Sequence, residues 1–223
     1  MLIAFDTSTA VASVALYNET GIVAETTWQS HRDQTAHVLP MAQKLLDLQN
    51  TGPDKLTGVA VALGPGSFNG LRVGVSTAKG LALALSIPIY GFSSLDILAY
   101  HYSYLNGLLC TTVDAGRKRL GAGFYRVKGG NWKRTEEYVN LTITELIERT
   151  GQPTFFCGEL TAEQRRELGE GLGKNAIILP PAMSLRRAGL LAELAWERLE
   201  SFDAGEDLAN LQPIYLHQPV GNK

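Results

Sequence analysis

Cysteine is scarce: the 223 residues hold two, Cys110 and Cys157, both in apolar runs. Two isolated cysteines make neither a disulfide framework nor a zinc site, so buried free thiols and a reducing, cytoplasmic setting are expected. Long hydrophobic runs are missing; Val59 to Leu63 is typical, far below the roughly 20 apolar residues of a membrane span. The opening Met1 to Asp6 has no basic leader or small-residue cleavage site, so a signal peptide is not expected. Histidine is rare too. Of His31, His37, His101 and His217, only the first two are near one another, and their separation of six does not suit one helical face; no metal site is expected. Charge of one sign is also lacking: 20 Lys plus Arg against 22 Asp plus Glu give −2, which excludes a histone-like nucleic-acid coat.

What is present is an ordinary globular composition, 45% hydrophobic and 19% charged, with 23 glycines that point to many tight turns. The opening reads as three strands: Leu2 to Phe5, Ala12 to Tyr17 and Ile22 to Trp28, the last two joined as a hairpin through Gly21. Helical spacing follows over about 34–49, with Pro40 either near its first turn or kinking it. Thr57 to Leu63 suits a strand covered on both faces. A helix over about 70–85, a strand at Ile89 to Phe92 and a helix to about 101 complete the first half. The second half repeats the plan: strands at Leu108 to Val113 and Leu120 to Lys128, a possible third at Lys133 to Tyr138, then helix 142–150, strand 153–157, helix 161–170, strand 176–179 and a long helix over about 184–202. Ile3 to Ser8 and Thr111 to Gly116 each place an Asp just after a strand and before a tight turn. These are the marks of a duplicated α/β fold with mixed sheets flanked by helices, divided into 1–103 and a smaller 104–223 with an extended tail.

Gly64-Pro65-Gly66-Ser67-Phe68-Asn69-Gly70 lies between a buried strand and a helix. It reads as an anion cradle, as a rigid loop for a partner, or as a tight turn without a ligand. It is neither a Walker loop nor a Rossmann fingerprint. Ser67 does not fit the spacing of a nucleophile elbow, and no catalytic residue is expected. Arg72 opposes the dipole at its helix start, which suggests contact with a partner or an anion. Asp6 and Asp114 are either turn formers or a pair at the ends of duplicated sheets, the latter fitting a nucleotide cleft. Residues 114–134 hold seven bases (Arg117, Lys118, Arg119, Arg126, Lys128, Lys133, Arg134) against one acid, Asp114. That patch is a contact for nucleic acid or a guarded strand edge.

The run Gly64 to Gly74, followed by Ala78-Lys79-Gly80-Leu81, resembles the bacterial TsaB (YeaZ) family. Ile3 to Ser8, Asp114-Ala115 with Tyr125, and the tail Pro213-Ile214-Tyr215-Leu216 resemble it as well. The resemblance implies an actin/Hsp70/sugar-kinase-like (ASKHA) fold. It implies a noncatalytic subunit that stabilises the catalytic partner TsaD in threonylcarbamoyl transfer to adenosine 37 of ANN-decoding tRNAs. TsaE would join the larger complex, ATP and metal would sit on the partner proteins, and the same helices would form a homodimer in TsaD's absence. The docking helices implied are 34–49 and 70–85, with Leu39, Ala42, Leu46, Gly70, Val73, Gly74, Thr77, Ala78 and Leu81 at the interface. The stripe Gly70, Gly74, Ala78, Ala82 supplies a physical reason, since short side chains permit close helix approach. Asp6, Thr7, Ser8, Gly64, Gly66, Ser67 and Asp114 mark the ancestral anion or nucleotide cleft, and Arg117, Lys118 and Arg119 a weak or indirect tRNA contact. Asn69 replaces the family's usual Thr, Gly116 separates Ala115 from Arg117 where the family has Arg directly after Ala, and Phe156 to Glu159 holds one glycine where ATPase relatives carry a pair. A competent ATP site is therefore not expected. An independent ATPase or phosphotransferase and an M22-type metallopeptidase are the alternative readings.

Overall fold

The computed structural model describes residues 1–30 and 33–216; His31 and His217 lie outside them. The chain divides into two units. In the first, β1 (Leu2–Asp6), β2 (Val11–Asn18), β3 (Gly21–Gln29), β4 (Gly58–Gly64) and β5 (Ile89–Ser93) form a sheet in the order β3-β2-β1-β4-β5. β1 pairs antiparallel with β2 and parallel with β4. All five residues of β1 are buried, as a central strand covered on both faces demands. Ile3 and Phe5 pack with Val38, Ala42, Leu45 and Leu46 of α1 (Gln34–Leu48) and with Val75, Ala78 and Ala82 of α2 (Phe68–Leu85). Pro40 sits inside α1, on its exposed side. Strand alternation sends Leu2, Ala4 and Asp6 to the opposite face. There α6 (Ala188–Glu200) covers β1 and β2 with Leu191, Ala192 and Ala195.

The second unit repeats the strand plan. β6 (Gly107–Asp114) pairs antiparallel with β7 (Arg119–Lys128) and parallel with β10 (Thr154–Gly158), which pairs with β11 (Ala176–Ile178). The single third strand expected at 133–138 is instead two short ones, β8 (Asn131–Arg134) and β9 (Val139–Thr142), which pair with the last and first parts of β7 respectively. One face packs on α3 (Ser94–His101) through Leu95, Leu98, Leu109 and Tyr125; the other carries Cys110, Leu120 and Phe156 against Ile143 and Leu146 of α4 (Ile143–Arg149) and Leu168 of α5 (Ala162–Leu172). Cys110 and Cys157 are free and buried, and burial raises both thiols above their ordinary pKa.

The division at 103/104 needs correction. The first unit is Met1–Ser93 with Arg186–Ile214, and the second takes Ser94–Leu185. α3 follows β5 in sequence but buries its apolar side on β6 and β7, while α6 returns to the first sheet. Hydrophobic periodicity identifies such helices without saying which sheet each will cover.

Candidate functional site

At the end of β1 the chain turns through Asp6, Thr7, Ser8 and Thr9, all buried. Asp6 Oδ1 accepts from the Ser8 amide at 2.9 Å and from Ser8 Oγ at 2.5 Å. Its Oδ2 accepts from Arg186 Nε at 3.0 Å, and both side chains of this ion pair are almost wholly buried. Arg186 also donates to Thr9 Oγ1. A divalent cation approaching Asp6 would meet a carboxylate already neutralised by a guanidinium, so these residues do not fit a metal–nucleotide held through Asp6. Sequence reading missed Arg186, whose partner lies 180 residues away. Its only signal is an arginine within the apolar approach to a helix.

The glycine loop closes on this same turn. The Ser67 amide donates to the Ser8 carbonyl at 2.6 Å, and a Cβ on Gly66 would lie 2.0 Å from that carbonyl oxygen. Ser67 caps α2, its hydroxyl accepting from the Gly70 amide, while Thr7 Oγ1 donates to the Gly70 carbonyl at 2.7 Å. A Cβ on Gly74 would come within 2.4 Å of Thr7 Oγ1. So Asp6, Thr7, Ser8, Gly66 and Ser67 do converge, but around one another, while Gly64 instead faces the Ile214 carbonyl and Leu71: the loop's glycines admit the chain's own backbone.

This packing corrects the docking stripe. Gly70, Gly74, Ala78 and Ala82 are buried against their own sheet, and Ala42 and Leu46 of α1 belong to the same core. Leu39 is exposed, and Val73, Thr77 and Leu81 are half-buried beside the stripe. The solvent sides of the two helices carry large apolar groups: Leu39 is 56% exposed, Leu48 70%, Phe68 42% and Leu83 71%. Arg72 lies over the Phe68 ring at 3.7 Å, one turn away, which accounts for its place at the helix start without an anion.

In the second unit Asp114 ends β6 as Asp6 ends β1, confirming the repeated plan, but it is exposed and accepts from the Gly116 amide at 2.8 Å. Its own amide donates to Glu159 Oε2 at 2.9 Å, placing a second carboxylate there. Arg117 and Lys118 are exposed in a turn with positive φ. Arg119 is half-buried and held within its own unit: it donates to Asn140 Oδ1 at 2.7 Å and the Asn140 carbonyl at 2.6 Å, and pairs with Glu145 at 3.2 Å. Among the described residues no three His, Cys, Asp or Glu converge as a metal centre requires, and no helix is long and apolar enough to cross a membrane.

Against known proteins, residues 8–209 match the family model described as TsaD, tRNA N6-adenosine threonylcarbamoyltransferase. The tRNA threonylcarbamoyladenosine biosynthesis protein TsaB of Bacillus subtilis is 30% identical over 96% of this chain and 93% of its own. The chain belongs to the TsaB (YeaZ) family. YeaZ from Pseudomonas aeruginosa superposes with a TM-score of 0.79 at 26% identity, covering 96% of this chain and 99% of that one. The activator of 2-hydroxyisocaproyl-CoA dehydratase from Clostridium difficile, solved with ADPNP, is 12% identical at a TM-score of 0.53 over 92% of this chain and 98% of its own. The TsaB-family chain therefore has the actin/sugar-kinase-like fold, with a TsaD-like domain.

Proposed function

We propose that this chain is a noncatalytic scaffold in tRNA threonylcarbamoyladenosine synthesis, docking on TsaD and stabilising it for threonylcarbamoyl transfer to adenosine 37. TsaE joins the larger complex, the chain pairs with itself through the same helices when alone, and ATP and metal are held by the partner proteins. The observation that carries the reading is a set of large apolar side chains left exposed on α1 and α2: Leu39 and Leu48, on opposite flanks of α1, and Leu83, on the solvent side of α2, are each more than half exposed. Apolar groups of this size on neighbouring helices mark a protein contact rather than a small-molecule site. The packing of α1 on α2 holds both faces on a rigid base. The neutralised Asp6 agrees with a subunit that leaves the chemistry to its partner.

The test is co-elution with TsaD on a sizing column. Leu39→Glu with Leu83→Glu places charges at exposed positions, where substitutions shift stability by about 0.5 kcal/mol or less. Loss of co-elution with an unchanged melting curve is expected. Unchanged co-elution overturns the docking face, and full tRNA modification without this chain overturns the scaffold.

A further inference from the structure

β7 is ten residues long, and its two ends are treated differently. Its first part, with Leu120 and Ala122, is covered by α4 and α5. Beyond Phe124 the same face continues as Arg126 and Lys128, both exposed. β8 pairs here with Lys133 directly opposite Arg126 and Asn131 opposite Lys128. Three cationic side chains therefore share one sheet face, roughly 5 Å apart across the strands and about 7 Å along β7. A groove of about 770 Å³ runs over the hairpin, lined by Arg126, Lys128, Trp132, Lys133 and Arg134 with Asn131 and Thr135; no acid lines it. The nearby acids are each paired with an arginine, one of them with the groove's own Arg134. Glu136 pairs with Arg149 beside the groove, and Glu137 pairs with Arg134, whose guanidinium also lies over Tyr138.

Guarding the β8 edge against stray pairing accounts for Lys133 but not for Arg126. Arg126 is on a strand paired on both sides, and a like charge directly across the ladder is destabilising. An anion seated between the two removes that repulsion. Lys128, opposite the neutral Asn131, extends the same cationic face about 7 Å further along β7, so the surface suits a chain of anions better than a single one. Trp132 alternates to the other face of β8, where it packs beside Tyr125 on the unit's core and anchors the hairpin.

We infer that the outer face of the β7–β8 hairpin binds the phosphate backbone of RNA. That the RNA is a tRNA rests on the function proposed above. Arg126, Lys128 and Lys133 neutralise successive phosphates; Arg117 and Lys118, at the other end of β7, are outside this surface.

The experiment measures fluorescence anisotropy of an unmodified ANN-decoding tRNA transcript with the full chain, alone and with TsaD, across a salt series. Arg126→Glu/Lys128→Glu/Lys133→Glu is compared with a control of equal charge change, Lys55→Glu/Arg166→Glu/Lys174→Glu. The hairpin triple is expected to weaken binding tenfold or more and to lower the slope of log affinity against log salt by about 2–3, as loss of three phosphate contacts does. The control triple is expected to change affinity by less than about threefold. Arg126→Gln/Lys128→Gln/Lys133→Gln relieves the cross-strand repulsion, so it melts no lower than wild type while losing the same contacts; it decides the matter if the Glu triple fails to fold. Equal loss in both triples, no loss in the hairpin variants, or no tRNA binding by the wild type overturns the inference. So does loss of TsaD co-elution at unchanged tRNA affinity, which makes the hairpin a protein contact. Wild-type chain that binds tRNA through the hairpin but never co-elutes with TsaD instead defeats the scaffold reading and leaves this one standing.

Discussion

Asp6 and Arg186 hold each other in a place neither could occupy alone. A buried carboxylate stripped of its cation is among the costlier defects a core can carry, about 3–5 kcal/mol. Arg186→Met is therefore expected to lower the unfolding free energy read from urea titration by that amount, and Asp6→Asn in the same chain to recover most of it; a single variant as stable as wild type contradicts the burial seen here. Gly74 makes a second residue-scale prediction. The Cβ of any other residue meets Thr7 Oγ1, and a leucine must also displace the neighbouring strand. Gly74→Leu is expected to cost about 1–3 kcal/mol by chemical denaturation, with any loss of partner binding following from that. Asp6, the glycine loop and the small-residue stripe were all legible as special positions, because Asp and Gly stand out against apolar neighbours. What they face was not legible. A stripe at spacing four reports that something approaches closely, and the approaching group is Thr7 of the same unit rather than another protein's helix. Arg186 escaped because its partner is brought to it only by tertiary folding.

Among the elements, those with local signals were the easiest to read. The hairpin of β2 and β3, the buried run of β4 and the helix after Ser67 were each signalled by turn residues, period or caps lying next to one another. The split of one strand into β8 and β9 was not, because the strands are four residues each and their pairing with two parts of β7 is a long-range event. The two capping boxes provide an internal comparison. Thr142 with Glu145 starts α4, and Thr161 with Gln164 starts α5. Hydrogen bonds from Thr142, with Arg119 nearby, hold the Glu145 carboxyl below its ordinary pKa of 4.5. A depressed carboxylate contributes stability that is fully present above its unfolded pKa and is lost as pH falls through the folded value. The Glu145 box should thus weaken below about pH 4.5, and the Gln164 box should not. Thr161→Ala is expected to cost about 1 kcal/mol at any pH from 4 to 7. Glu145→Gln is expected to flatten the acid limb of a melting-temperature profile; an acid limb identical to wild type removes Glu145 from that account.

At the scale of the whole molecule, the two units are built by one strand plan yet are not two consecutive stretches of chain. The first sheet owns a helix that the chain delivers only after completing the second, and the second owns α3, which directly follows the first sheet's last strand. Duplication was visible in the repeated strand–Asp–turn pattern, whereas this assignment of helices was not, since α3 and α6 are apolar enough to cover either sheet. A fragment cut at the apparent midpoint separates the first sheet from its cover. Residues 1–103 alone lack Leu191, Ala192 and Ala195 over the Leu2–Ala4 face and leave Asp6 without Arg186. Leaving several such side chains without a partner surface forfeits about 1.5–3 kcal/mol for each large one, comparable in sum to the 5–15 kcal/mol that holds a domain folded. The 1–103 fragment is therefore expected to show no cooperative thermal transition. A chain of 1–93 joined to 186–214 by a flexible linker is expected to regain one, and 94–185 to melt cooperatively unaided. Circular dichroism melts of the three pieces check this; a cooperative transition in 1–103 equal to that of the joined chain would show that α6 is dispensable to the first unit.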